Sequence, residues 1–173
     1  MQNKLTSLLL GYSNLFSDVP SRTHLVEHDI VCDSPSIKQH PYRVNPQKRS
    51  LLKAEIDYML ENNIIEPSTS DWSSPCLLVP KPDGDVRFCT DFRRVNKLTR
   101  DDSHPIARVD DCIDEVGNAR YVTKIDMLKG YWQIPLTERA KRISAFATPD
   151  GLFQYLVMPF GLKTLIVTLS LRW

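Results

Sequence analysis

The stretch Tyr121–Leu136, YVTKIDMLKGYWQIPL, decides how this chain is read. Its opening residues alternate: Tyr121, Thr123 and Ile125 share one face of an extended segment, and Val122, Lys124 and Asp126 share the other. The alternation predicts a strand ending at Asp126, after which the period changes. Taken alone, an aspartate at a strand end is an ordinary surface carboxylate. It can also serve chemistry, because a strand end is a rigid platform. A magnesium ion takes hard oxygen ligands, typically one or two carboxylates plus substrate phosphates, with the Met127 carbonyl within reach.

Upstream, RVDDCIDEVGNA places Val109, Cys112, Ile113 and Val116 at helical spacing, with Gly117 as the stop, so a helix leads into the strand. Two Pro-Asp-Gly triplets, at Pro82-Asp83-Gly84 and Pro149-Asp150-Gly151, each separate strand-like runs and predict two hairpins: proline fixes φ, aspartate bonds its own backbone and glycine supplies positive φ. Pro75 and Pro80 confine the first run to a sheet edge or place themselves at its ends. Further upstream, Asn45 and Pro46 open an amphipathic helix carrying Leu52, Ile56, Met59 and Leu60, which ends near Asn62 or Asn63. Residues 1–45 read as a short amphipathic helix followed by an extended, loosely attached arm, with an edge strand around His24–Val31. Irregular alternation of helices with hairpins predicts an α+β fold with a mixed or antiparallel sheet and flanking helices.

The chain's 173 residues, 42% hydrophobic and 25% charged, suffice for one sizeable core. No apolar run is long enough to cross a bilayer, and no membrane partner is expected. The four cysteines, Cys32, Cys76, Cys89 and Cys112, lack zinc-site spacing, which fits a reducing intracellular compartment, cytoplasmic or nuclear. A net charge of +1 gives no global nucleic-acid footprint. Locally, Lys81, Arg87, Arg93, Arg94, Lys97 and Arg100 outnumber Asp83, Asp85 and Asp91, which is a weak basic patch or an ordinary solvated face.

Three blocks, SPCLLVPKPDGDVRFCTDFRRVNKLT, KIDMLKGYWQIPL and KRISAFATPDGLFQYLVMPFGLK, follow in this order. Together they closely resemble the reverse transcriptase domain of gypsy-type LTR-retrotransposon Pol polyproteins over residues 41–163. The resemblance implies the fingers and partial palm of a right-hand polymerase at residues 46–163, a connector arm at 1–45 and a divergent tail at 164–173. It further implies that Asp126 is the first catalytic aspartate and, with the Met127 carbonyl, binds metal. Two Mg²⁺ ions would stabilise the attacking 3′-hydroxyl and the leaving pyrophosphate. Tyr131 matches the aromatic residue beneath the incoming nucleotide's sugar. Lys81 and Arg87 match the cations that neutralise the triphosphate. Phe160 matches a nucleotide contact and Gly161 a template contact, while Asp91, Phe92, Arg93 and Asn96 fall in a box assigned mainly to structure. RNA template, DNA primer and dNTP are the partners of the intact parent.

The pattern breaks after Lys163, where TLIVTLSLRW replaces an expected Ala-Pro helix, and no aromatic-x-Asp-Asp hairpin follows Asp126. The pairs Asp101-Asp102 and Asp110-Asp111 precede Asp126 and have the wrong flanks. One carboxylate underneutralises a two-metal site, so the polypeptide alone is expected to lack polymerase activity. The alternative is a dead fragment that binds nucleic acid, is inert, or self-associates through an unpaired palm strand edge. Ribonuclease H would belong to the parent polyprotein, not to these residues.

Overall fold

The computed structural model describes residues 2–13, 20–82, 84, 86–101, 108–117, 119–124, 126–165 and 168. Asp83, Asp85, Asp102, Ile125 and most of the 164–173 tail therefore lie outside the described residues. The elements are α1 (Gln2–Gly11), α2 (Pro46–Glu61), β1 (Ile65–Pro67), β2 (Ser74–Pro80), β3 (Val86–Thr90), α3 (Arg93–Leu98), α4 (Val109–Gly117), a 3-10 helix (Gly130–Gln133), α5 (Glu138–Ile143), β4 (Phe146–Thr148) and β5 (Gly151–Tyr155).

Helix α2 begins where its sequence says. The Asn45 carboxamide accepts from the Lys48 amide at 2.8 Å, and Pro46 occupies the first turn, where a missing N–H costs nothing. Leu52, Ile56 and Met59 form the buried stripe. The helix ends as the Ile64 amide reaches back to the Met59 carbonyl at 2.8 Å while Asn63 adopts φ 54°, the left-handed stop that asparagine tolerates. That reversal delivers Ile64 and Ile65 into the core.

Both Pro-Asp-Gly hairpins form. β2 pairs antiparallel with β3, and β4 with β5. In the second turn the Thr148 hydroxyl accepts from the amides of Asp150 and Gly151, both at 3.1 Å, and Arg49 of α2 forms an ion pair with Asp150. The sheet order is β1-β5-β4-β2-β3, mixed because β2 runs parallel to β4 at Ser74 and Pro75. β2 is thus interior in the order, and its two prolines sit at or near its ends. Phe146 is the hub of the apolar layer, fully buried with Phe88, Phe153 and Tyr155 around it at 5.1–6.0 Å. The Tyr155 hydroxyl and the Thr90 hydroxyl satisfy each other at 2.9 Å, as a buried polar pair must.

Two expectations change. The arm is not loosely attached from residue 20 onward. Its amides at Thr23 and His28 donate to Gln133 and Pro135, and His28 and Ile30 are buried. It pairs through isolated bridges, His28 with Leu136 and Cys32 with Thr99, and not as a continuous edge strand. The larger change is at 121–126. Residues 121–124 are exposed and without strand pairing, and Asp126 is exposed. An alternating segment becomes a strand only when a neighbour takes its N–H and C=O groups, and no described strand does so here. For the same reason α4 forms as predicted yet buries nothing: Val109, Ile113 and Val116 are 73%, 61% and 50% exposed.

His28 links the arm to the start of the tail. One ring nitrogen, Nδ1, lies 2.7 Å from the Thr168 hydroxyl and Nε2 lies 3.2 Å from the Thr164 hydroxyl. Burial pushes the imidazole down to about 4, with the Asp29 charge opposing weakly. The native state therefore refuses a proton that the unfolded chain accepts near pH 6.5, so this stability is complete above about 6.5 and falls as pH drops towards 4. We expect urea unfolding to lose roughly 3 kcal/mol across that window. The slope should flatten in His28→Asn, and an unchanged slope in that variant would contradict the assignment.

Candidate nucleotide-facing site

The site is built by backbone pairing between two short segments. The Leu136 amide donates to the Leu156 carbonyl at 3.0 Å and the Met158 amide to the Ile134 carbonyl at 2.8 Å, around a bridge between Pro135 and Val157. All of this ladder is buried or half-buried. Immediately before it lies the 3-10 helix bearing Tyr131, and immediately after it the turn bearing Phe160. Their rings consequently meet edge to face, centroids 4.7 Å apart and planes at 77°, a geometry that aromatic quadrupoles favour. Phe160 remains 52% exposed, so the pair presents a face to solvent.

The Phe160 turn is held from behind. Asn96 of α3 donates to the Gly161 carbonyl at 2.7 Å and accepts from the Lys163 amide at 2.9 Å, bracketing the turn with one carboxamide. Gly161 has φ 94°, a backbone that favours glycine. Asp91 carries a structural duty too. It accepts both arms of the Arg93 guanidinium, at 2.8 and 2.6 Å, and the Tyr42 hydroxyl at 2.8 Å. Hydrogen bonds from Arg93 hold this carboxyl well below the usual carboxylate range. The box assigned to structure from sequence therefore behaves as structure: Phe92 and Val95 are buried, while Asp91 and Asn96 satisfy backbone and side-chain groups.

Lys81 and Arg87 stand on the β2–β3 hairpin, Arg87 opposite Val79, at the β3 end of the sheet order. Tyr131 and Phe160 instead flank the Pro135–Val157 bridge. Two members of the basic patch are paired, Arg93 with Asp91 and Arg100 with Asp33, and outside the patch Lys163 pairs with Asp101. Asp126 and Met127 precede the 3-10 helix on exposed backbone. Among the described residues no three His, Cys, Asp or Glu side chains gather into a metal site. One carboxylate and one carbonyl do not meet a divalent ion's need for about six oxygens.

Between Asp126 and Tyr131 the structure reveals a residue that sequence reasoning passed over. Lys129 adopts the left-handed conformation, φ 45° and ψ 47°, at the start of the 3-10 helix. Its ammonium lies 4.7 Å from the Tyr58 ring centroid and 4.4 Å from that of Trp132, and donates to the Tyr58 hydroxyl at 3.0 Å. The closeness of lysine and tryptophan in the chain was visible; the third member, on α2, was not.

Comparison with known proteins agrees with this architecture. Residues 79–164 match the family model for reverse transcriptase (RNA-dependent DNA polymerase). The chain is 34% identical over 137 residues to the retrovirus-related Pol polyprotein from transposon 412 of Drosophila melanogaster, covering 76% of this chain and 11% of that polyprotein. It is 38% identical over 131 residues to the counterpart from transposon opus of the same fly, covering 73% and 13%. The chain thus spans only a small part of these relatives. Among solved structures, the prototype foamy virus protease-reverse transcriptase (a CSH mutant) superposes with a TM-score of 0.82 at 26% identity, over 96% of this chain and 23% of that one. The foamy viral protease-reverse transcriptase in complex with an RNA/DNA hybrid gives 0.73 at 24% identity, over 92% and 22%. The chain belongs to the reverse transcriptase family, and its sequence is that of a reverse transcriptase segment from an LTR-retrotransposon Pol polyprotein.

Proposed function

We propose that residues 46–163 act as the fingers and part of the palm of an RNA-directed DNA polymerase, joined to a connector arm at 1–45 and a divergent tail at 164–173. The observation carrying this reading is the Tyr131–Phe160 contact: two positions from separate motifs, both assigned to the nucleotide by resemblance, share one solvent-facing surface. In this reading the Tyr131 ring packs beneath the deoxyribose of the incoming nucleotide and its bulk disfavours a 2′-hydroxyl. Phe160 flanks the same nucleotide, and Gly161 offers side-chain-free backbone to the template strand. Lys81 contributes a point charge and Arg87 a planar fork towards the triphosphate. RNA template and DNA primer are the proposed partners, a proposal supported by the likeness to an enzyme captured on an RNA/DNA hybrid.

Reverse transcriptases generally use a divalent metal, and Mg²⁺ is the ion proposed for the complete enzyme. This chain brings to it Asp126 and the Met127 carbonyl, which do not hold it unaided. Incubating the purified 173-residue chain with a primed RNA template, dNTPs and Mg²⁺ should therefore give no primer extension. Robust extension would refute the assignment of Asp126 to an incomplete centre.

A second reading is favoured by the exposed cations Arg87 on β3 and Arg94 and Lys97 on α3: the chain binds nucleic acid without catalysing anything. Phosphate contacts release counterions, so affinity for an RNA/DNA duplex should fall linearly in log–log form as salt rises. Titration of a labelled duplex between 50 and 200 mM salt (on the order of these values) checks this, and undetectable binding at the low end would leave the chain inert.

A further inference from the structure

We infer that Lys129 is a positioning residue, whose ammonium, held between the rings of Tyr58 and Trp132, pins the turn carrying Tyr131 to α2. The inference builds on the proposed nucleotide site but goes beyond it, because Lys129 itself is assigned no contact with the nucleotide.

The need for such a pin follows from what surrounds the turn. On its C-terminal side the chain is secured by the Ile134–Leu136 ladder. On its N-terminal side, residues 121–124 and 126–128 are exposed, and they form no strand. Tyr131 thus sits at the boundary between ordered pairing and unsupported backbone. At that boundary Lys129 holds a left-handed conformation that non-glycine residues seldom adopt, so something must compensate for it. Its carbonyl accepts from the Trp132 amide at 2.8 Å, closing the 3-10 turn, and that places the indole under the lysine's own ammonium. Tyr58 then supplies the second ring and a hydroxyl acceptor from α2. A cation shared by two aromatic rings is a directional tie between the elements that carry them. Through it the orientation of the Tyr131 ring against Phe160 depends on a helix more than seventy residues upstream.

The test uses three variants of the full 173-residue chain: Lys129→Met, Lys129→Arg and Tyr58→Leu. The first readout is the nuclear Overhauser effect between the Tyr131 and Phe160 rings. It should vanish in Lys129→Met and in Tyr58→Leu and remain in Lys129→Arg, which keeps a cation able to stack on both rings. Its persistence in Lys129→Met overturns the inference; should that variant not fold, the Tyr58→Leu result decides alone. The second readout is the affinity ratio for Mg²⁺-dNTP over Mg²⁺-rNTP. Removing the tie should reduce it roughly fivefold, the scale of one exposed cation–π contact, and an unchanged ratio after the two rings have separated would remove Lys129 from sugar selection. If the unaltered chain binds neither nucleotide, the proposed nucleotide site is not formed by these residues alone, while the ring-to-ring effect still decides whether Lys129 positions Tyr131.

Discussion

The site depends on one short stretch of backbone ladder, Ile134–Leu136 against Leu156–Met158. Its hydrogen bonds are modest individually, but the residues that make them are enclosed, so breaking one would strand polar groups away from water. Val157 and Met158 are buried on one side of the bridge and Ile134 and Leu136 on the other. The arm closes the same strip from the opposite edge, with the His28 amide donating to the Pro135 carbonyl. Because the chain enters and leaves this ladder at fixed points, the residues just outside it, Tyr131 and Phe160, are brought within reach of each other, and how their rings meet is left to the turns that carry them.

The ladder also explains why the site and the segment containing Asp126 differ so much in order. Proximity in sequence would suggest that Asp126 and Tyr131 share a fate. Physically they belong to different systems: Tyr131 leans on a ladder completed within this chain, whereas Asp126 ends a segment that no described strand supports. The apolar residues Val109, Ile113 and Val116 of α4 and the neighbouring Tyr121 and Val122 are exposed as well.

Much of the fold is legible in the residues themselves. The α2 stripe, its Asn45 cap and its Asn63 stop follow from local rules acting within a few residues, as do both Pro-Asp-Gly turns and the α4 boundaries. Among the described residues 121–124 and 126 the expected strand does not form, because alternation describes how a segment would sit in a sheet and carries no information about whether a neighbour is present. The arm's route through Thr23 and His28 was invisible for a related reason: isolated bridges leave no period to detect. Within the site, Tyr131, Phe160 and Gly161 were nameable only through the family resemblance. The Asn96 bracket could be anticipated as a cap but not with its partner, and the Lys129–Tyr58 tie joins positions whose spacing bears no pattern.

Amide hydrogen exchange tests the central claim most directly, since it reports how firmly each part of the backbone is held. The Leu136 and Met158 amides should exchange only on global unfolding, while those of Val122, Thr123 and Lys124 should exchange near the rate of unstructured peptide. Fast exchange at Leu136 and Met158, or strong protection across 122–124 in this same chain, would contradict the account.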